Sequence, residues 1–112
     1  MESKRQLRIA KLLQRELGIM FQREAKEKFS AAMITVTKVH ITKDLAIARI
    51  YLSLFATSDK STLMQEIIRN SGEMRFKLGQ RVKDQLRHIP NLEFYEDDSL
   101  DYIENIEQLL QN

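Results

Sequence analysis

The sequence predicts an α+β domain in which helices cover one face of a three-stranded sheet. Three observations carry that prediction. A long N-terminal stretch repeats apolar residues at helical spacing, two central segments alternate apolar and polar residues, and one short alternating segment follows Pro90. At 112 residues, 43% hydrophobic and 30% charged, the chain suffices for one compact domain with one core. No repeat, low-complexity tract or linker divides it, so residues 1–112 read as a single domain.

Residues 4 to 27 read as one helix. Ile9, Leu13, Leu17 and Met20 form its apolar stripe, widened by Ala10 and Phe21. Lys4, Arg8, Lys11 and Arg15 fall nearly opposite Leu13, giving a basic ridge along the far face. Gly18 lies inside this helix, where a bend or a close contact is expected. In residues 33–55, Ile34 and Val36 alternate on one parity while Val39 and Ile41 alternate on the other, which places a bulge near Thr37-Lys38. The turn Thr42-Lys43-Asp44-Leu45 leads into a second strand. There Ala46, Ala48, Ile50, Leu52 and Leu54 face one way, and Ile47, Arg49, Tyr51 and Ser53 the other. Two strands this close predict an antiparallel hairpin.

Ser58-Asp59-Lys60-Ser61 offers N-cap chemistry for a short helix carrying Leu63, Met64, Ile67 and Ile68. That helix ends at Asn70-Ser71-Gly72, and a further helical pattern runs through Arg75, Leu78, Val82 and Leu86, stopping before Pro90. Leu92 and Phe94 mark the third strand. Asp98-Ser99 is a cap for a last helix with Tyr102, Ile103, Ile106, Leu109 and Leu110, within an acidic tail over 96–112. The five methionines sit at core-like spacing.

The net charge is only +2, but it is divided unevenly. Residues 1–87 hold all eighteen Lys and Arg and nine acids, a sum of +9; residues 88–112 hold seven acids and no Lys or Arg, a sum of −7. A basic body points to a polyanion, most often nucleic acid. Four like charges on one helix face repel, and no acidic residue at i+4 relieves Lys4, Arg8 or Lys11, so the ridge reads as a binding surface in preference to a merely solvated face. The helix after Gly72 adds Arg75, Lys77, Arg81, Lys83 and Arg87, the pairs Lys77/Arg81 and Lys83/Arg87 projecting as separate ridges. Its first N–H groups, near Gly72, either receive a phosphate or simply begin a helix whose glycine allows close packing.

Other classes are disfavoured. There is no Cys, hence no disulfide framework, zinc ribbon or thiol nucleophile, which fits a reducing, cytoplasmic setting. No apolar run approaches the ~20 residues that span a bilayer, and no secretory h-region follows the basic N-terminus. A basic, amphipathic start also suits a transit peptide, but Glu2 and Glu16 and the need for its apolar face in the core count against that. No glycine-rich nucleotide loop exists among Gly18, Gly72 and Gly79. Asp97, Asp98 and Asp101 read as a helix cap with solvated neighbours in preference to a metal cluster, and His40 and His88 as structural. No cofactor and no catalytic residue are expected. Tyr51 and Tyr95, outward on their strands, either stack on bases or cover the sheet.

The order α-β-β-α-α-β with a glycine between the second and third helices resembles a type II KH domain, Ile67 to Arg75 standing where such a domain carries its GxxG loop. More specific segments are Met33-Ile34-Thr35-Val36-Thr37 with Thr42-Lys43-Asp44-Leu45-Ala46, and Leu86-Arg87-His88-Ile89-Pro90-Asn91-Leu92-Glu93-Phe94 with Asp97-Asp98-Ser99-Leu100. Together with the basic first helix they resemble the bacterial ribosome-binding factor A family over nearly the whole chain. That family has an Ala-x-Gly interhelical kink; here Ser71 and Gly72 fit, with Asn70 in the Ala position, where it tolerates left-handed geometry. The resemblance implies a non-catalytic assembly factor that binds the free 30S subunit, assists late maturation of 16S rRNA near its 5′ end and supports growth in the cold. It implies no membrane partner, and ribosomal proteins or other assembly factors as further partners of a monomer. Alternatives are a KH-like module for mRNA or small RNA, and a protein-interaction adapter using the sheet or the acidic tail.

Overall fold

Apolar alternation and helical stripes assemble as expected into α1 (Lys4–Lys28), β1 (Met33–Ile41), β2 (Ile47–Phe55), α2 (Lys60–Arg69), α3 (Ser71–Val82) and β3 (Asn91–Glu96). The structure is a computed structural model describing residues 2–29, 33–55 and 57–97, with the side chains of 25–28 left aside. The tail helix expected over Asp98 to Leu110 lies outside the described residues.

The sheet order is β1-β2-β3, with β1 antiparallel to β2 and β2 parallel to β3 through the α2–α3 crossover. The register shifts between Val36 and Lys38, so the bulge falls where the parity changes. Ile34, Val36, Val39 and Ile41 therefore all reach the inner face despite their mixed spacing, joined by Ala48, Ile50, Leu52, Leu54 and Phe94. Ala46, expected inward, is exposed because the strand starts only at Ile47.

The stripe Ile9, Ala10, Leu13, Leu17, Met20 and Phe21 packs α1 against this face. Burial of each of the larger side chains contributes about 1.5–3 kcal/mol. Phe21 meets Phe94 edge-on at 6.1 Å between ring centres, tying α1 to β3. Two glutamines add direction: Gln6 Nε2 donates to Ile41 O at 2.9 Å, and Gln14 Nε2 to Val36 O at 3.2 Å. Leu63 and Ile67 of α2, and Met74, Leu78 and Val82 of α3, complete the core.

Several expectations are corrected. Ile68 is 51% exposed, because the buried stripe of α2 is only Leu63 and Ile67. Met33 is exposed on the outward parity of β1, unlike the buried Met20 and Met74. Helix α3 stops at Val82, not near Leu86. The chain turns there, Gln85 N and Leu86 N both bonding Val82 O, and folds back until Ile89 lies beside Gly79, where an added Cβ would stand 3.4 Å from Ile89 Cγ1. Lys83 and Arg87 thus do not form a helical pair. Neither Gly18 nor Gly72 answers a close approach, since a Cβ at either would meet nothing within 4 Å.

Asp59 caps α2 as its position predicts, accepting from Thr62 N at 3.0 Å and Thr62 Oγ1 at 2.6 Å. These bonds hold its carboxyl below the usual aspartate range, the Thr62 hydroxyl contributing most. Leu45, closing the β1–β2 turn, has φ 63°, a left-handed conformation that costs a non-glycine residue about 1–2 kcal/mol. Ser53 is fully buried although its parity is outward, and its Oγ has no hydrogen-bond partner among the described residues.

Candidate nucleic-acid interface

The two predicted sets of cations fare differently. On α1, Lys4, Arg8 and Lys11 are exposed, and among the described residues none has a carboxylate partner. Arg15 is 65% exposed, its Nη2 3.4 Å from Glu16 Oε1. The ridge therefore stands free on the face of α1 turned away from the sheet.

The cations of α3 are largely engaged within the fold. Lys77 Nζ lies 2.6 Å from Glu24 Oε1 and 3.3 Å from Glu73 Oε1. Arg81 donates from Nε to Glu16 Oε2 at 2.7 Å, and its Nη2 lies at the same distance. Both bind α3 to α1. Arg75 donates from Nε and Nη2 to Ile89 O, at 3.2 and 2.6 Å, and from Nε to Pro90 O at 3.1 Å. It thereby satisfies carbonyls that an irregular segment leaves without ladder partners. Lys83 and Arg87 are exposed beyond the helix and, among the described residues, unpaired.

At the kink, Asn70 has φ −92° and ψ 8°, in the bridge region and not the left-handed one its side chain would tolerate. Its N–H bonds Glu66 O and Ile67 O, and its side-chain amide donates back to Glu66 O at 2.7 Å. That side chain closes α2 and makes no cap bond to α3. Ser71 and Gly72 follow directly, Gly72 exposed with open space around its Cα, so a ligand backbone can approach closely. Glu73 is the acid in the first turn.

Composition gave no hint of Phe76, which is 68% exposed and shares a shallow cavity with Gly72, Arg87 and His88. Helical geometry did contain the signal, since Phe76 lies two residues from both Met74 and Leu78 and so points away from their stripe. His88, expected to be a satisfied structural residue, is exposed and has no partner among the described residues. His40 does fit that reading, its Nδ1 bonded to the carboxylate of Glu2. Tyr51 and Tyr95 stack on each other at 5.5 Å, and Tyr95 Oη donates to Glu93 at 2.7 Å, which raises its pKa. Asp97 accepts from Thr37 Oγ1 at 2.6 Å, and Asp98 and Asp101, the other members of the disfavoured metal cluster, lie outside the described residues.

A sheet with β2 and β3 parallel, joined through two helices that meet at a kink, and with a further helix and strand before it, defines a type II KH-like domain. The chain belongs to the ribosome-binding factor A family, whose model matches residues 5–110. Ribosome-binding factor A of Flavobacterium psychrophilum is 42% identical over 111 residues, covering 98% of this chain and 85% of that protein. The Cytophaga hutchinsonii protein of that description is 36% identical over 110 residues, 98% of this chain and 83% of its own. The crystal structure of ribosome-binding factor A from Thermus thermophilus superposes with a TM-score of 0.66 at 22% identity, over 81% of this chain and 94% of that one. A homology model of the Thermus thermophilus factor, fitted into a cryo-electron microscopy map of its 30S complex, gives 0.60 at 21% identity, over 78% and 93%. These two likenesses speak for the fold. No helix among the described residues is long and apolar enough to cross a membrane.

Proposed function

We propose that this chain is a non-catalytic cytoplasmic assembly factor that binds the free 30S ribosomal subunit. In this reading it assists late maturation of 16S rRNA near the 5′ end, supports growth in the cold, and works as one monomeric domain over residues 1–112. Membership of the family and the 30S complex of the Thermus factor support the reading. The single observation that carries the RNA contact is the contrast in pairing: Lys4, Arg8 and Lys11 stand exposed without carboxylates, whereas Lys77 and Arg81 already hold α3 to α1.

Lys4, Arg8, Lys11 and Arg15 meet rRNA phosphates, Lys83 and Arg87 extend the surface, and Asn70, Ser71 and Gly72 set the helix angle and leave room for backbone. Arg75, Lys77 and Arg81, first grouped with the contacts, shape the surface by positioning α3. Three or four phosphate contacts give a log–log salt slope of roughly −2 to −3.5. The test is co-sedimentation of Arg8→Glu/Lys11→Glu/Arg15→Glu with purified small subunits. Binding lost with an unaltered circular dichroism spectrum is expected; binding retained eliminates the ridge.

A further inference from the structure

A deeper cavity opens beside the start of the ridge and shares Arg75, Arg87, His88 and Ile89 with the shallow one near Gly72. It is a cleft of about 620 Å³ between the first turns of α1, the β1–β2 turn and the segment that folds back after α3. That volume is within the ~300–1,000 Å³ of small-molecule sites. Its chemistry is divided. Ile9, Leu45 and Leu86 give it an apolar wall, while Arg5 and Arg87, which also line it, have no carboxylate partner among the described residues.

The walls are held in place before any ligand arrives. Arg75 fixes the 89–90 backbone through its three hydrogen bonds, and Asn91 N donates to Ala46 O at 2.9 Å, joining two sides of the cleft. Leu45 lines the wall from a left-handed backbone, and strain of that kind gathers at ligand sites. Asp44 also lines the cleft. Its Oδ1 accepts from Thr42 Oγ1 at 2.8 Å and Ala46 N at 3.1 Å, and its Oδ2 makes no hydrogen bond among the described residues. The Thr42 bond, then that from Ala46, lowers its pKa, so the free oxygen belongs to a carboxylate at neutral pH.

We propose that this cleft binds one 5′-phosphorylated nucleotide, with phosphate held between Arg5 and Arg87 and the base laid against Ile9, Leu45 and Leu86. The free oxygen of Asp44 accepts from an exocyclic amino group, so adenine, cytosine and guanine are preferred to uracil. An unpaired nucleotide within an RNA chain and a free mononucleotide share this chemistry. The RNA-chain source deepens the ribosomal reading; mononucleotide binding stands apart from it.

The experiment is a ¹⁵N-resolved NMR titration with 5′-AMP, 5′-UMP and adenosine, each to about 5 mM. Saturable AMP shifts at the amides of Arg5, Leu45, Ala46 and Asn91 are expected, with adenosine and Arg5→Ala/Arg87→Ala each at least about tenfold weaker. Asp44→Asn, which keeps an Oδ1 acceptor for the turn, retains AMP binding and loses the preference over UMP. No saturable shift at these amides, equal affinity for AMP and adenosine, or shifts confined to the ridge would overturn the proposal. The source follows from co-sedimentation of Arg5→Ala, which leaves the ridge, Lys83 and Arg87 in place: weakened subunit binding assigns the nucleotide to RNA, and unchanged binding assigns it to the free pool. Since the titration contains no ribosome, failure of the ribosomal reading leaves its result standing.

Discussion

Replacing Arg81 separates a structural cation from an RNA-contacting one. Arg81 places Nε and Nη2 at 2.7 Å from one oxygen of Glu16, whose side chain is 13% exposed against 28% for Arg81. Exposed ion pairs contribute only ~0.2–1 kcal/mol, and stranding one partner of a fully buried pair costs ~3–5 kcal/mol. Glu16 lies between these limits, nearer the buried one. The guanidinium of Arg15, 3.4 Å from the other oxygen, offsets part of the loss, but it is 65% exposed and solvent screens it. Arg81→Met should therefore destabilise the fold by about 2 kcal/mol. A cycle with Glu16→Gln should give a coupling of about 1.5 kcal/mol. Urea is the denaturant of choice because it leaves ion pairs unscreened; with a slope near ~2 kcal/mol/M the midpoint falls by about 1 M. Under conditions where the variant stays folded, it should still bind small subunits. A coupling below about 0.5 kcal/mol, or full stability with lost subunit binding, would refute the reasoning and return Arg81 to the RNA contacts.

Three further outcomes are expected. Asp59→Ala should lower stability at neutral pH and leave little difference from wild type in acid. Because the folded pKa of Asp59 is depressed, its contribution is complete above the ordinary value near ~3.9 and fades as pH falls through the lower folded value; urea melts at several pH values follow this. Ser53→Ala should change stability by no more than about 0.5 kcal/mol or raise it, since a buried hydroxyl without a partner contributes no bond; a loss above ~1 kcal/mol in urea melts would reveal one. Leu45→Asn should stay within about 1 kcal/mol of wild type and Leu45→Val should cost about 2 kcal/mol, because Asn accepts the left-handed conformation and a β-branched residue resists it; the reverse order would deny the strain.

Local pattern made much of the fold legible. The stripe Ile9, Leu13 and Leu17, the parity change before Val39 and the Asp59 cap all depend on residues a few positions apart. The surface was legible only in half. The lack of i+4 acids correctly isolated Lys4, Arg8 and Lys11. Spacing grouped Lys77 and Arg81 as a basic pair and could not show the carboxylates of Glu24 and Glu16, 53 and 65 residues away in sequence, although Glu73, four residues before Lys77, was within its reach. Arg75 looked like a phosphate ligand because its carbonyl partners belong to a segment that pattern assigned to helix and turn. Arg5 was passed over because it stands off the ridge, and only the β1–β2 turn and the fold-back after Val82 give it company.

The glutamines of α1 also guard the sheet. β1 is an edge strand, and edges with free carbonyls are templates for pairing with a second chain. Gln6 and Gln14 occupy acceptors at Ile41 and Val36, near the end and the middle of that edge, and the bulge interrupts its repeat between them. A strand arriving there must displace α1 before it can zip. The opposite edge, β3, is only six residues long and carries Glu93 and Glu96. Both edges of the sheet are thus poor seeds for self-association.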